Sequence, residues 1–279
     1  VATDSHIDPD EPRGLAAFGT VRWAIGFVFH NFGSLLKISI TPFILSVVLT
    51  NAQKMIELFS ILDMKGWGDP LFNVLILAAV APQATAWHRF ALLPDQKLYW
   101  CQFVFGMREL RFLLISLAAY VLGVAVGLAT AAAMAPVPDF GVAVQILFVL
   151  LLMWILARCV MFLPAASVGA REGFVELLRM TKGIAGRIVG VYLVCAVLMT
   201  IFGLGFSALS DIAVALTVGL PGLVTVIAET LPRAFFNLLA IGVFISVLSS
   251  IYKQISMSAR GGSAASTDET DETGEGGSP

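Results

Sequence analysis

Apolar residues in this chain gather into stretches of about membrane-spanning length, and charged positions fall between them. A helix that crosses a bilayer needs about 20 mostly apolar residues, and a charge at its centre costs roughly 2.5–3.5 kcal/mol. Charge-free runs therefore mark the spans. Phe112 to Ala135 and Ile188 to Ser210 are the clearest, followed by Phe140 to Ala157 and Ala234 to Tyr252. Ile38 to Gln53 and Pro70 to Trp87 are weaker, but their flanks suit the headgroup zone. The pattern predicts an all-α integral membrane bundle of six transmembrane helices. A further charge-free run, Ile212 to Ala228, is interrupted by Gly219, Pro221 and Gly222. A seventh span, a re-entrant loop and an interfacial helix pair all stay open for it.

Three of the gaps have a pattern of their own. Between 171 and 187, Arg171, Glu172, Glu176, Arg179, Lys182 and Arg187 fall on one half of a helical wheel. Phe174, Leu177, Leu178, Met180, Ile184 and Ala185 take the other half, which predicts an amphipathic helix running into the fifth span. Lys97 to Arg111 repeats this before the third span, and Leu15 to Phe29 before the first. Each ends on a basic residue at the mouth of a span, Lys37, Arg111 and Arg187, at separations of 74 and 76. The near-constant period suggests three copies of one unit: interfacial helix, span, short gap, span. Positive-inside loops in any six-span protein would produce the same charges, so that plainer reading stands beside the repeat.

Charge then sets orientation. With six spans, 14 of the 17 Lys and Arg residues share one side, and only Lys54, Lys65 and Arg233 face the other. Positive-inside makes the basic side cytoplasmic and puts both termini there, as expected of a bacterial inner-membrane protein. A seventh span would move Lys253 and Arg260 across. Composition agrees: 58% of residues are hydrophobic and 13% charged, with a mean hydropathy of +0.89. Soluble domains carry about 25% charge. A net charge of −2 argues against a nucleic-acid partner. Cys101, Cys159 and Cys195 are scattered without metal-ligand spacing. The acidic start, with Asp4, Asp8, Asp10 and Glu11, is the reverse of a signal-peptide n-region. Organisation follows as a polar segment over 1–13, a membrane domain over 14–255 and a disordered acidic tail over 256–279.

The order of WHRF at 87–90, FVFGMRELRFLL at 103–114, RCVMFLPAASVG at 158–169 and GFVELLRMTKG at 173–183 resembles an uncharacterised family of bacterial inner-membrane proteins. That family is similar to the YciC-like proteins and to the membrane domain accompanying some glycerophosphodiester phosphodiesterases. The resemblance covers residues 15–255. It implies a six-span membrane domain and supplies no activity.

Candidate chemistry is sparse. Ion-coupled carriers usually bury charge within the bilayer, where it is costly, whereas the polar residues inside these spans are Asn73, Gln83, Gln145 and Asn237. Gln83, Gln145 and Asn237 are candidates to line a cavity, or they are hydrogen-bond glue between helices worth about 0.6 kcal/mol each. Gly123 with Gly127, and Gly186 with Gly190, have the spacing of close helix contacts. His88 beside Arg89, with Glu109 as an imagined partner, is the most reactive-looking pair. Trp87, His88 and Arg89 read more simply as a headgroup-level anchor. No nucleophile, phosphate-loop or metal motif is present, so no catalytic residue, metal or cofactor is assigned. Arg89, Lys97, Arg108, Arg111, Arg158, Arg171, Arg179, Lys182 and Arg187 would form a basic collar at headgroup depth, each attracting anionic lipid by roughly 1 kcal/mol, or they serve only to set the topology. The expected function is a non-catalytic accessory or lipid-organising module with lipid, membrane-protein or self-association partners. The alternative is a transporter of an uncharged or amphiphilic molecule.

Overall fold

In a computed structural model, the described residues are 16–59, 68–93, 96, 104–134, 138–170, 173–217, 219–220 and 222–268. Every regular element among them is a helix: α1 Ala17–His30, α2 Phe32–Phe59, α3 Gly68–Leu92, α4 Met107–Met134, α5 Pro138–Cys159, α6 Phe162–Val168, α7 Phe174–Met180, α8 Ala185–Leu216 and α9 Gly222–Asp268. Six helical stretches are long and apolar enough to cross a membrane, Phe32–Gln53, Pro70–Leu92, Met107–Ala129, Ile146–Val168, Ala185–Leu216 and Val224–Met257. Each overlaps one of the six charge-free runs, extended at its ends by charged residues such as Arg108, Arg158 and Arg233. The chain is a multi-pass membrane protein with a helical-bundle fold.

The run from Ile212 to Ala228 is none of the three alternatives. Residues 212–216 complete α8, α9 begins at Gly222, and Gly219 adopts φ +88° in the turn between them. A hydrogen bond from Ser210 Oγ to the Glu229 carbonyl, at 2.6 Å, ties the two helices below that turn.

The hairpins α2–α3, α4–α5 and α8–α9 each pack internally, but they are not equivalent. Helix α9 touches α1, α2, α3, α6, α7 and α8. Its span is 56% buried, against 6% for that of α4. Residues 245–252 of α9 and 81–88 of α3 are buried on every side. Small residues recur in both, Ala81, Ala84, Thr85 and Ala86 on α3 and Ser246, Ser249 and Ser250 on α9, and their small volume lets several helices approach at once. The outward-facing spans, α4 and α5, instead present large apolar side chains to lipid, among them Leu128 and Leu147.

The pre-span helices depart from expectation in instructive ways. Helix α1 buries Thr20, Val21, Ala24 and Val28 against the bundle, so this stripe docks on protein rather than on lipid alone. Over Lys97 to Arg111, residues 97–103 lie outside the described part and 104–106 are non-helical. Arg108 and Arg111 consequently sit in the first turns of α4. The amphipathic stretch of 171–187 is broken by a turn at Thr181–Ile184, where Gly183 takes φ +86°, a conformation that side chains with a Cβ rarely adopt. Arg171 and Glu172 fall outside the described residues, as do 1–15 and 269–279. Helix α9 runs on through Asp268, into the stretch whose composition reads as an unstructured tail.

The small-residue pairs also correct the sequence reading. A Cβ added at Gly123, Gly127, Gly186 or Gly190 would meet nothing within 4 Å. Close approach occurs instead at Gly203, 3.2 Å from the Phe236 ring, and at Gly242, 3.0 Å from Leu35 Cδ2.

Candidate functional site

Two sites emerge, one at each end of the bundle. At the end where Arg89, Arg108, Arg158 and Arg187 gather, a pocket of about 210 Å³ lies between α3 and α4. Arg89, Gln96, Arg108 and Glu109 supply its polar wall, and Pro82, Ala86 and Val104 its apolar one. Arg89 is held by Gln96 Oε1, which accepts from Nε at 3.1 Å and from Nη2 at 2.9 Å. Glu109 Oε2 accepts the Gly106 N–H at 2.9 Å, capping the start of α4. The Arg108 guanidinium lies over the C-terminus of α6, where a Cβ at Gly169 would be 3.5 Å from its Nε. Arg108 and Arg111 are exposed. Arg111 borders a separate apolar hollow with Leu114, Phe162 and Leu177.

The remaining members of the collar divide by surroundings. Arg158 is a packing group: Nη2 donates to the Leu178 carbonyl at 2.9 Å, and the guanidinium lies 5.2 Å from the Trp154 ring. It thereby closes the C-terminus of α7 from α5. Arg179 is exposed beside Glu176 at 4.0 Å, a loose pair of little energetic weight. Lys182 and Arg187 are exposed. Arg171 lies outside the described residues.

Trp87 and His88 are core residues, not headgroup anchors. Both are fully buried. Trp87 Nε1 donates to the Gly242 carbonyl at 3.1 Å and to Ser246 Oγ at 2.9 Å, and its ring packs on Phe27 and Phe90. His88 Nδ1 shares a hydrogen bond with Ser249 Oγ at 2.8 Å, and its ring faces Phe112. Glu109 is engaged at Gly106, so the imagined His88–Glu109 pair does not form. The missed signal was on α9: Gly242, Ser246, Ser249 and Ser250 recur at helical spacing on one face, a small polar stripe matched to Trp87 and His88.

The second site is a cleft of about 470 Å³ between α2, α3 and α9. It brings together Gln83 and Asn237, two of the three cavity candidates. The Gln145 side chain is outside the described residues, although its backbone is on α5. Gln83 is only 2% exposed, and its Nε2 has no hydrogen-bond partner. Asn237 is exposed, and Arg233 at the rim pairs with Glu229 at 2.7 Å. Asn73, by contrast, acts as helix glue, donating to Tyr120 Oη at 3.4 Å. Among the described residues no His, Cys, Asp and Glu cluster suits a metal ion. Compared with protein-family models, curated proteins and solved structures, the chain matches none.

Proposed function

We propose that this protein is a non-catalytic inner-membrane module that holds anionic lipid at the cytoplasmic leaflet and presents it, with the bundle, to membrane-protein partners. The observation that carries the reading is the convergence of Arg89 and Arg108 on one pocket. Two guanidiniums beside a small hollow suit a phosphate, since Arg presents several N–H donors in a fixed fork. Lipid phosphate is the anion available at that depth. The orientation rests on the 14 co-facial basic residues. A transporter needs a path through the bundle, whereas the cleft between α2, α3 and α9 stops at Gln83, one turn short of the buried Trp87. The accessory reading is therefore preferred.

Native mass spectrometry of the full chain from mild detergent tests this. Wild-type protein should retain phosphatidylglycerol or cardiolipin over phosphatidylethanolamine. Arg89→Gln with Arg108→Gln should weaken that retention about 10- to 30-fold, from roughly 1 kcal/mol per basic group. Arg233→Gln, at the other end, should leave it unchanged. Equal retention in the double variant, or wild-type protein with neither anionic lipid nor partner, would overturn the proposal.

A further inference from the structure

We propose that the cleft between α2, α3 and α9 binds an uncharged, carbonyl-bearing amphiphile that enters sideways from the bilayer, independently of the headgroup pocket. Its inner end is marked by Gln83, whose buried Nε2–H has no acceptor. A donor left unpaired in a low-dielectric interior is costly, so the site is complementary to an acceptor. The identity of that acceptor follows from depth. The cleft opens toward Arg233, and Gln83 follows Pro70, where the α3 span begins on that side, by 13 residues, placing it about 20 Å along the helix axis from that end. Phospholipid ester carbonyls stay near the headgroups, and acyl tails carry no acceptor. Bulk lipid therefore leaves the Gln83 amide unsatisfied, while a ligand with a carbonyl along or at the end of its apolar portion does not.

The walls fix the rest of the chemistry. Phe43, Val80, Ile241 and Phe244 line the cleft, and its one charged lining residue, Arg233, is already paired with Glu229 at the rim. An ionised ligand would find no counter-charge at the floor, where a buried charge is expensive. A volume of about 470 Å³ lies within the range of small-molecule sites, roughly 300–1,000 Å³. One turn beyond Gln83 the bundle is shut by Trp87, locked to Gly242 and Ser246. Thus the cleft holds a ligand and does not conduct one in this conformation. Asn237, exposed one turn inside Arg233, offers a second amide at the mouth.

The test uses the full chain in lipid nanodiscs with two photoreactive probes of equal length: a long-chain ketone, and its twin with a methylene in place of the carbonyl. Crosslinks are mapped by mass spectrometry. The ketone should label residues 43–50 and 230–244 at least tenfold more than the twin. Gln83→Leu, which keeps the volume and removes the unpaired donor, should abolish that preference without lowering Tm. Ala240→Phe, which fills the cleft, should cut labelling by both probes. Equal labelling of wild-type protein by the two probes would overturn the proposal, as would a ketone preference that survives Gln83→Leu or labelling unchanged by Ala240→Phe. Should Gln83→Leu fail to fold, the wild-type comparison and Ala240→Phe decide the matter alone. Retention of anionic lipid at Arg89 and Arg108 is read separately, so the two readings fail separately.

Discussion

Trp87→Ala should destabilise the bundle by about 3–5 kcal/mol, the range for deleting a large buried aromatic side chain. Trp87 is fully buried and joins α3 to α9 by two hydrogen bonds from a single N–H. Truncation removes the ring contacts with Phe27 and Phe90 and leaves a cavity in the buried core. It also strips Ser246 Oγ of its donor, although that hydroxyl keeps its own bond to the Gly242 carbonyl at 2.8 Å. Trp87→Phe should recover much of the packing and lose mainly the hydrogen bonds, about 0.5–1.5 kcal/mol each. Reversible unfolding in mixed micelles, followed by far-ultraviolet circular dichroism, measures both. A headgroup-level anchor, its ring still partly in water, leaves no buried cavity and would lose far less in either variant, so the size of the alanine effect separates core from interface.

The second large effect belongs to Gly242. A Cβ there would sit 3.0 Å from Leu35 Cδ2, 3.3 Å from Leu35 Cδ1 and 3.6 Å from Val28 Cγ2. Leu35 and Val28 are themselves fully buried, leaving little room to yield. Gly242→Leu should therefore cost about 1–3 kcal/mol through overpacking, and more where α9 is pushed far enough to break the Trp87 hydrogen bonds. Gly123→Leu and Gly127→Leu should cost almost nothing, because both positions open onto free space. The same unfolding assay compares the three. The opposite ranking would mean that the small-residue spacing on α4, and not the approach at Gly242, organises the packing.

Trp87 and Gly242 both owe their surroundings to partners distant in sequence. The six spans are legible because lipid imposes a length and forbids charge, and both are local properties of sequence. Residue type marks Gln83 and Asn237 as amides in need of partners or a ligand, but it leaves open whether they line a cavity or bond neighbouring helices, and that they border one cleft is set by the packing of α2, α3 and α9. The neighbours of each span are another matter. Trp87 and His88 look like interfacial residues because Arg89 follows them, yet their depth is fixed by serines 159 and 161 residues away. No local window contains that information. Arg158 illustrates the same limit: its charge suits a headgroup, while its geometry caps α7. The continuous amphipathic helix over 171–187 fails for a backbone reason, the left-handed Gly183, which a wheel drawn at constant pitch overlooks.

The central position of α9 has a temporal side. Every helix it holds, α1, α2, α3, α6, α7 and α8, precedes it along the chain. During synthesis, emerging amino-terminal first, the earlier spans are threaded into the bilayer before their common partner exists. Trp87 and His88 wait meanwhile without the serines that will receive them. The earlier helices can pair among themselves, as α2 does with α3 and α4 with α5, but the contacts that gather α1, α2, α3 and α8 around one axis form only when this last helix arrives.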